Sequence, residues 1–357
     1  MTGFSSFDHA MMRRALALAE RGLYTTTPNP RVGCVLARDG AIVGEGWHEK
    51  PGAPHAEANA LASAGPAARG ATAYVSLEPC NHHGRTPPCS AALAAAGVAR
   101  VVSAVRDPNP LARDGSDALA AAGIQAEVGL LEAEARELNI GFLSRMTRAR
   151  PWVRMKIAAT LDGRTALADG RSQWITGAEA RKDGHRWRAR ACAILTGIGT
   201  IKADDPQLNV REVETPRQPL RVVVDSRLEI PENARILQGG NVLLFCAVES
   251  KRALKGAEPI VLPNAAGKVE LPAMLAELAR RGVNELHVEA GFRLNGSLVR
   301  EGCVDEFLLY LNPSFLGDAA QGMLDLPPLE SLDQRLRLEL RSVERIGEDL
   351  RILARPV

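Results

Sequence analysis

The chain has 357 residues, of which 46% are hydrophobic and 24% charged, and its formal net charge is +2. That length exceeds one ordinary domain and points to two, while the near-balanced charge excludes nucleic-acid binding driven by a strong basic field. No run of about 18 uncharged apolar residues occurs, so no membrane helix is expected, and residues 7–21 carry Asp8, Arg13, Arg14 and Glu20 where a signal peptide needs an apolar core.

Helical spacing predicts a helix over 7–21, with Ser5, Ser6 or Asp8 to cap it. Strands over 32–37 and 41–47 flank Arg38-Asp39-Gly40, a hairpin signal. An Ala-rich helix over 55–64 places His55 and Glu57 near its N-terminus. A strand over 71–77 runs into Glu78-Pro79, followed by a helix over 90–96, a strand over 101–105 and a helix over 114–122. This order predicts an α/β sheet with helices on its faces.

The basic segment 145–151 ends in Pro151 and reads as a connector, giving domains 1–147 and 148–357. The second half restarts with a strand over 152–160. A helix over 177–190 and a strand over 192–197 follow, then a loop through Asp204-Asp205-Pro206. Strands are expected at 220–225, 241–247, 285–289 and 304–311, and helices at 272–281 and 293–301. From Arg335 the tail alternates like an antiparallel pair, which makes the second sheet mixed.

The chemistry concentrates in His55-Ala56-Glu57, Glu78-Pro79-Cys80 and Pro88-Cys89. One imidazole and two thiolates are three ligands for tetrahedral zinc, with the fourth position open, as catalytic sites have it. Glu57 stands two residues from His55, where it could move protons for a water on the metal. The pattern H-x-E…P-C…C is the signature of zinc-dependent base deaminases. A structural zinc site closed by His82 or His83 is the competing reading, and it leaves Glu57 without a role. A nucleic-acid base deaminase would need a basic face and a two-residue Cys spacing; here eight residues separate Cys80 from Cys89. That insert, with His82, His83, Arg85 and Thr86, suits contact with an anionic substrate. The remaining cysteines, Cys34, Cys192, Cys246 and Cys303, lie in apolar runs and read as free core thiols of a reducing, cytoplasmic protein.

Thr27-Pro28-Asn29-Pro30-Arg31-Val32-Gly33, the His55 and Cys80–Cys89 motifs, residues 156–164, Ser172-Gln173-Trp174-Ile175-Thr176, residues 204–208 and Glu289-Ala290-Gly291 together resemble the bifunctional deaminase/reductase family of riboflavin biosynthesis. The resemblance spans nearly the whole chain. It implies a cytidine-deaminase-like three-layer domain followed by a dihydrofolate-reductase-like domain, and two consecutive steps. The first is zinc-dependent deamination of 2,5-diamino-6-ribosylamino-4-pyrimidinone 5′-phosphate. The second is reduction of the ribosyl side chain to ribityl by NADPH. By motif match, His55, Cys80 and Cys89 would bind zinc and Glu57 would donate the proton. Ala158, Trp174, Thr200, Asp204, Ser226 and the run Gly291, Phe292, Arg293, Leu294, Asn295, Gly296 and Ser297 would contact NADPH. Ser172, Arg188, Leu208, Arg211 and Glu289 would contact substrate, the two arginines suiting its phosphate. No G-x-G-x-x-G follows a strand in the second half, so the pyrophosphate would rest on amides at a helix start near Gly291. Lys156, a cation within an apolar strand, is a further candidate. The resemblance also implies a homo-oligomer, and the charge and hydropathy pattern lead us to expect neither nucleic acid nor membrane as partner.

Overall fold

The computed structural model describes residues 3–82, 87–249 and 254–357. The chain divides into two units, Met1–Arg148 and Ala149–Val357.

In the first unit α1 (Ser6–Glu20) leads into the hairpin of β1 (Gly33–Arg38) and β2 (Ala41–Trp47). There follow α2 (Ala56–Ala64), β3 (Thr72–Val75), α3 (Cys89–Ala95), β4 (Arg100–Ser103), α4 (Gly115–Ala121), β5 (Gln125–Val128), α5 (Glu132–Leu138) and α6 (Ile140–Arg148). Ser5 caps α1 through a capping box: its hydroxyl accepts the Asp8 amide at 3.1 Å, and the Asp8 carboxylate accepts the Ser5 amide at 2.8 Å. The sheet runs β2-β1-β3-β4-β5, antiparallel across β1 and parallel from β3 to β5.

Side chains alternate across this sheet as a strand's period of two requires. Cys34 and Leu36 pack with Ala56, Ala60, Leu93 and Leu119 from α2, α3 and α4. Val35 and Ala37 pack with Met12, Ala135 and Phe142 from α1, α5 and α6. The result is three layers. Helix α2 sits directly on β2: a Cβ added to Gly46 would stand 2.5 Å from the backbone of Ala56 and Ala60. The sequence reading missed β5, α5 and most of α6. Part of its connector, residues 145–148, is the last turn of α6, where Arg145 and Arg148 complement the negative end of the helix dipole.

The second unit comprises β6 (Trp152–Thr160), β7 (Arg164–Ala166), α7 (Ala178–Arg190), β8 (Ala193–Gly197), α8 (Ile198–Asp204), β9 (Leu220–Val224), β10 (Val242–Cys246) and β11 (Ala257–Val261). It continues with α9 (Leu271–Arg280), β12 (Glu285–Val288), α10 (Phe292–Arg300), β13 (Glu306–Asn312), β14 (Gln321–Gly322), β15 (Leu338–Ile346) and β16 (Asp349–Pro356). The main sheet is ordered β11-β10-β9-β8-β12-β6-β13-β16-β15. Its first seven strands are parallel, and β16 and β15 extend it antiparallel. One face packs Met155, Leu195, Phe245, Leu286 and Val288 on α9 and α10. The other packs Ile194 and Val223 on Ile201 of α8, and Leu308 and Tyr310 on Ala180 of α7. Where the sequence reads as loop before Asp204, the structure has α8, whose last helical residue is Asp204 and whose cap, Asp205, is left-handed at φ 39°. Among the described residues no helix is long and apolar enough to cross a membrane.

Candidate active sites

In the first unit His55 is the N-cap of α2, in extended conformation, and Glu57 lies in the first turn with 3% of its surface exposed. Cys80 follows β3 and Cys89 opens α3. The chain thus brings the imidazole and both thiols together: Nδ1 of His55 is 3.6 Å from Cys80 Sγ and 3.4 Å from Cys89 Sγ. The Cys89 amide donates to Cys80 Sγ at 3.5 Å, as a helix start next to a thiolate should. The hydrogen bond from Cys89 draws Cys80 down to about 4, and the same bond drives Cys89 far above the usual thiol range. Burial pushes Glu57 up to about 7, with the Cys80 charge adding to the effect.

This donor set fits zinc. One nitrogen and two sulfurs all lie within 4.8 Å of one another, and a cation there would favour both thiolates. Among the described residues no fourth His, Cys or carboxylate joins the group. His82, offered as a closing ligand by the structural-zinc reading, is not part of it; His83, Arg85 and Thr86 lie outside the described residues. The site gains two side chains to which the sequence reading gave no role. His48 is buried and stacks edge-on to His55 at 5.5 Å. One of its nitrogens meets Asn29 Nδ2 at 3.0 Å and the other the Pro54 carbonyl at 3.1 Å. Asn29 stands inside the quoted Thr27–Gly33 motif, and that was the only available signal.

In the second unit the sequence-predicted residues collect along one sheet edge, where the parallel strands end. Ala158 is near the end of β6, Thr200 in the helix after β8, Ser226 after β9, and Glu289 and Gly291 after β12. Gly291 caps α10 without any side-chain hydrogen bond, which leaves the helix amides open, and a Cβ on it would stand 3.7 Å from Thr200 Oγ1. Leu294 packs where a Cβ on Gly197 would be, at 3.1 Å. Asn295 and Gly296 face inward: the Asn295 amide group donates to the Ala290 carbonyl at 3.1 Å, and a Cβ on Gly296 would stand 2.2 Å from the Asp325 carbonyl. Phe292 is half-buried and Arg293 exposed, while Ser297 accepts from Arg300 at 2.9 Å. Ser226 Oγ accepts the Val269 amide at 3.2 Å.

Trp174 is 71% exposed, and the Arg181 guanidinium lies 4.8 Å over its ring. Its neighbour Gln173 donates to Asp204 at 3.4 Å, which ties the Ser172–Trp174 loop to the end of α8. Arg188 and Glu289 form a two-pronged ion pair at 2.5 and 2.8 Å, and Arg188 also donates to the Asn209 carbonyl at 3.1 Å. Burial pushes the Glu289 carboxyl up, but the Arg188 charge overrides it and holds the group well below the usual range. The Lys156 ammonium lies 5.9 Å from the Tyr310 ring centroid, and burial lowers its pKa although the Glu289 charge works the other way. Leu208 is buried and left-handed at φ 48°. Arg211 donates its amide to His185 Nδ1 at 3.2 Å and its guanidinium to Asn209 at 2.5 Å.

Two family models match the chain: the cytidine and deoxycytidylate deaminase zinc-binding region over residues 5–105, and the RibD C-terminal domain over residues 151–352. The riboflavin biosynthesis protein RibD of Escherichia coli is 45% identical, covering 96% of this chain and 98% of its own. A solved structure of Acinetobacter baumannii RibD superposes with a TM-score of 0.92 at 43% identity, covering 98% of this chain and 99% of that one. The diaminohydroxyphosphoribosylaminopyrimidine deaminase/5-amino-6-(5-phosphoribosylamino)uracil reductase of Thermotoga maritima superposes at 0.90 with 32% identity and the same coverage.

Proposed function

Because the chain belongs to the bifunctional riboflavin-biosynthesis family that joins a deaminase to a reductase, we propose that residues 1–147 carry the deaminase site and 148–357 the reductase site. The enzyme is a zinc-dependent deaminase and an NADPH-dependent reductase, with a cytidine-deaminase-like fold in its first unit and a dihydrofolate-reductase-like fold in its second.

His55, Cys80 and Cys89 would hold the zinc. Bound there, zinc supplies a positive charge that makes water acidic near neutrality. Glu57 takes the proton of the attacking water, delivers it to a ring nitrogen and assists the departing ammonia. Its buried carboxyl, raised to about 7, can both hold and release a proton near neutral pH. Asn29 and His48, hydrogen-bonded to each other beside His55, offer polar edges suited to a pyrimidine. The observation that carries this reading is the convergence of three donors within 4.8 Å beside a buried carboxylate.

In the reductase unit NADPH supplies the hydride. The open amides of α10 from Gly291, with Phe292 to Ser297 behind them, Thr200, Ser226, Asp204, Ala158 and Trp174, would seat the cofactor. Arg188, Arg211, Ser172, Leu208 and Glu289 would hold the substrate, the phosphorylated pyrimidine left by the first step. Arg211 is the freer of the two arginines for the phosphate, since Glu289 occupies the Arg188 fork. We also propose a cytoplasmic homo-oligomer. Six free, buried cysteines suit a reducing compartment. The edge strand β15 exposes Leu340 at 63% and Val343 at 52%, an apolar surface that a second copy would cover.

The test supplies full-length enzyme with the phosphorylated diaminopyrimidine and NADPH, following ammonia and nicotinamide absorbance together. NADPH consumption is expected only after ammonia release. Reduction of the undeaminated pyrimidine, or a metal ion held by four side chains, would overturn the reading.

A further inference from the structure

We propose that Glu78 is a positioning residue for the metal ligand Cys80, acting through the main chain of two later segments; this rests on the zinc reading above. Glu78 is 3% exposed and cannot reach solvent as an ordinary surface carboxylate does. Its two oxygens accept amides from separate places: Oε2 from Asp107 at 3.0 Å and Oε1 from Ser116 at 2.9 Å. Both hydrogen-bond donors are backbone groups, so the carboxylate fixes chain positions; the only cationic side chain near it among the described residues, the exposed Arg106 guanidinium, stands 3.8 Å from Oε1. The first lies in the segment after β4, whose Asp107 carboxylate in turn accepts the Asn109 amide at 2.9 Å. The second lies in the first turn of α4, whose own N-cap, Asp114, makes no side-chain cap bond.

The same two segments close on the residues flanking the ligand. The Asn81 amide donates to the Ala112 carbonyl at 2.9 Å, and Ala112 packs against both Cys80 and Cys89. On the α4 side, Gly115 lies so close that a Cβ there would stand 1.8 Å from the Pro79 carbonyl. Cys80 is therefore held between Pro79 and Asn81, each braced by a segment that the Glu78 carboxylate holds in place. The arrangement does for a thiolate what outer hydrogen bonds do for other metal ligands: it sets where the sulfur stands before the metal arrives.

The Glu78→Gln substitution keeps the size and turns one acceptor into a donor facing an amide. In the full-length chain its apparent zinc affinity, by chelator competition, should fall about ten- to a hundredfold. The thiolate and ligand-field bands of the cobalt-substituted chain should shift, with NADPH-dependent reduction unchanged. Ser5→Ala, which removes the cap of α1 in the same unit, is the stability control; it should lower the melting temperature and leave cobalt bands and affinity as they are. Wild-type bands and affinity in Glu78→Gln would overturn the proposal, as would metal loss accompanied by collapse of the unit's cooperative melt, which would make Glu78 a fold residue alone. Failure of the unaltered chain to bind zinc or give thiolate–cobalt bands would instead sink the zinc reading itself.

Discussion

The two sites are built on opposite plans. In the first unit the three metal donors and the carboxylate fall between His55 and Cys89, on two helix starts and one strand end, with Asn29 and His48 beside them. In the second, the groups are gathered from Ala158 to Ser297, from several strand ends, the helix starts and loops that follow them, and α7. The difference follows from what is bound. A metal ion needs a few donors of rare type at tight distances. A dinucleotide and a sugar phosphate need a long edge of amides and cations, much of it main chain.

The plan predicts where single substitutions bite. Glu57→Gln should reduce ammonia release by about a hundredfold to ten-thousandfold, the range for losing an acid–base group, while zinc stays bound and reduction is intact; rapid deamination by that variant would remove Glu57 from the mechanism. Gly46→Ala should drive α2 off β2, costing about 1–3 kcal/mol as overpacking does and depressing deamination through displacement of His55 and Glu57. The comparable change on the other side, Gly291→Ala, meets Thr200 at an ordinary 3.7 Å and should leave the melt untouched; equal destabilisation by both would erase the contrast. Arg188→Ala should raise the reductase KM by about tenfold, as for a lost charge-assisted contact, with deamination unaffected; a change confined to deamination would reassign it.

The smallest effect is a pH dependence confined to the second unit. Burial, then the charges of Arg188 and Arg211, hold His185 down to about 4, against an ordinary value of 6.5. Between these values the unfolded chain binds the proton and the folded chain does not, so stability should rise with pH across that window and level off above it. Protonation would also cost Nδ1 its place as acceptor of the Arg211 amide. Denaturant melts from acid to neutral pH should show the slope, and His185→Gln should flatten it; an unchanged slope would place its origin elsewhere.

Legibility in the sequence followed the same division. His55, Glu57, Cys80 and Cys89 are conspicuous as letters, and their helix and strand positions came out within a residue or two of the reading. Strand β6 matched end to end because its apolar run is long and bounded by Pro151. The missed elements lack such signals. β5 reads Gln-Ala-Glu-Val, too short and polar to announce a strand, and α5 carries three glutamates in seven residues. α8 hid behind Gly199 and the Asp-Asp-Pro turn. His48 and the Arg188–Glu289 pair are tertiary facts: nothing local says that residues 101 apart in sequence will meet.

That pair has a further consequence. The Arg188 fork is closed before any ligand comes, so an arriving anion meets a neutral couple and not a bare cation. Stray cellular anions gain little by settling there. Only a guest whose other end compensates the carboxylate it dislodges can win the arginine, and the edge thereby screens its visitors without a door.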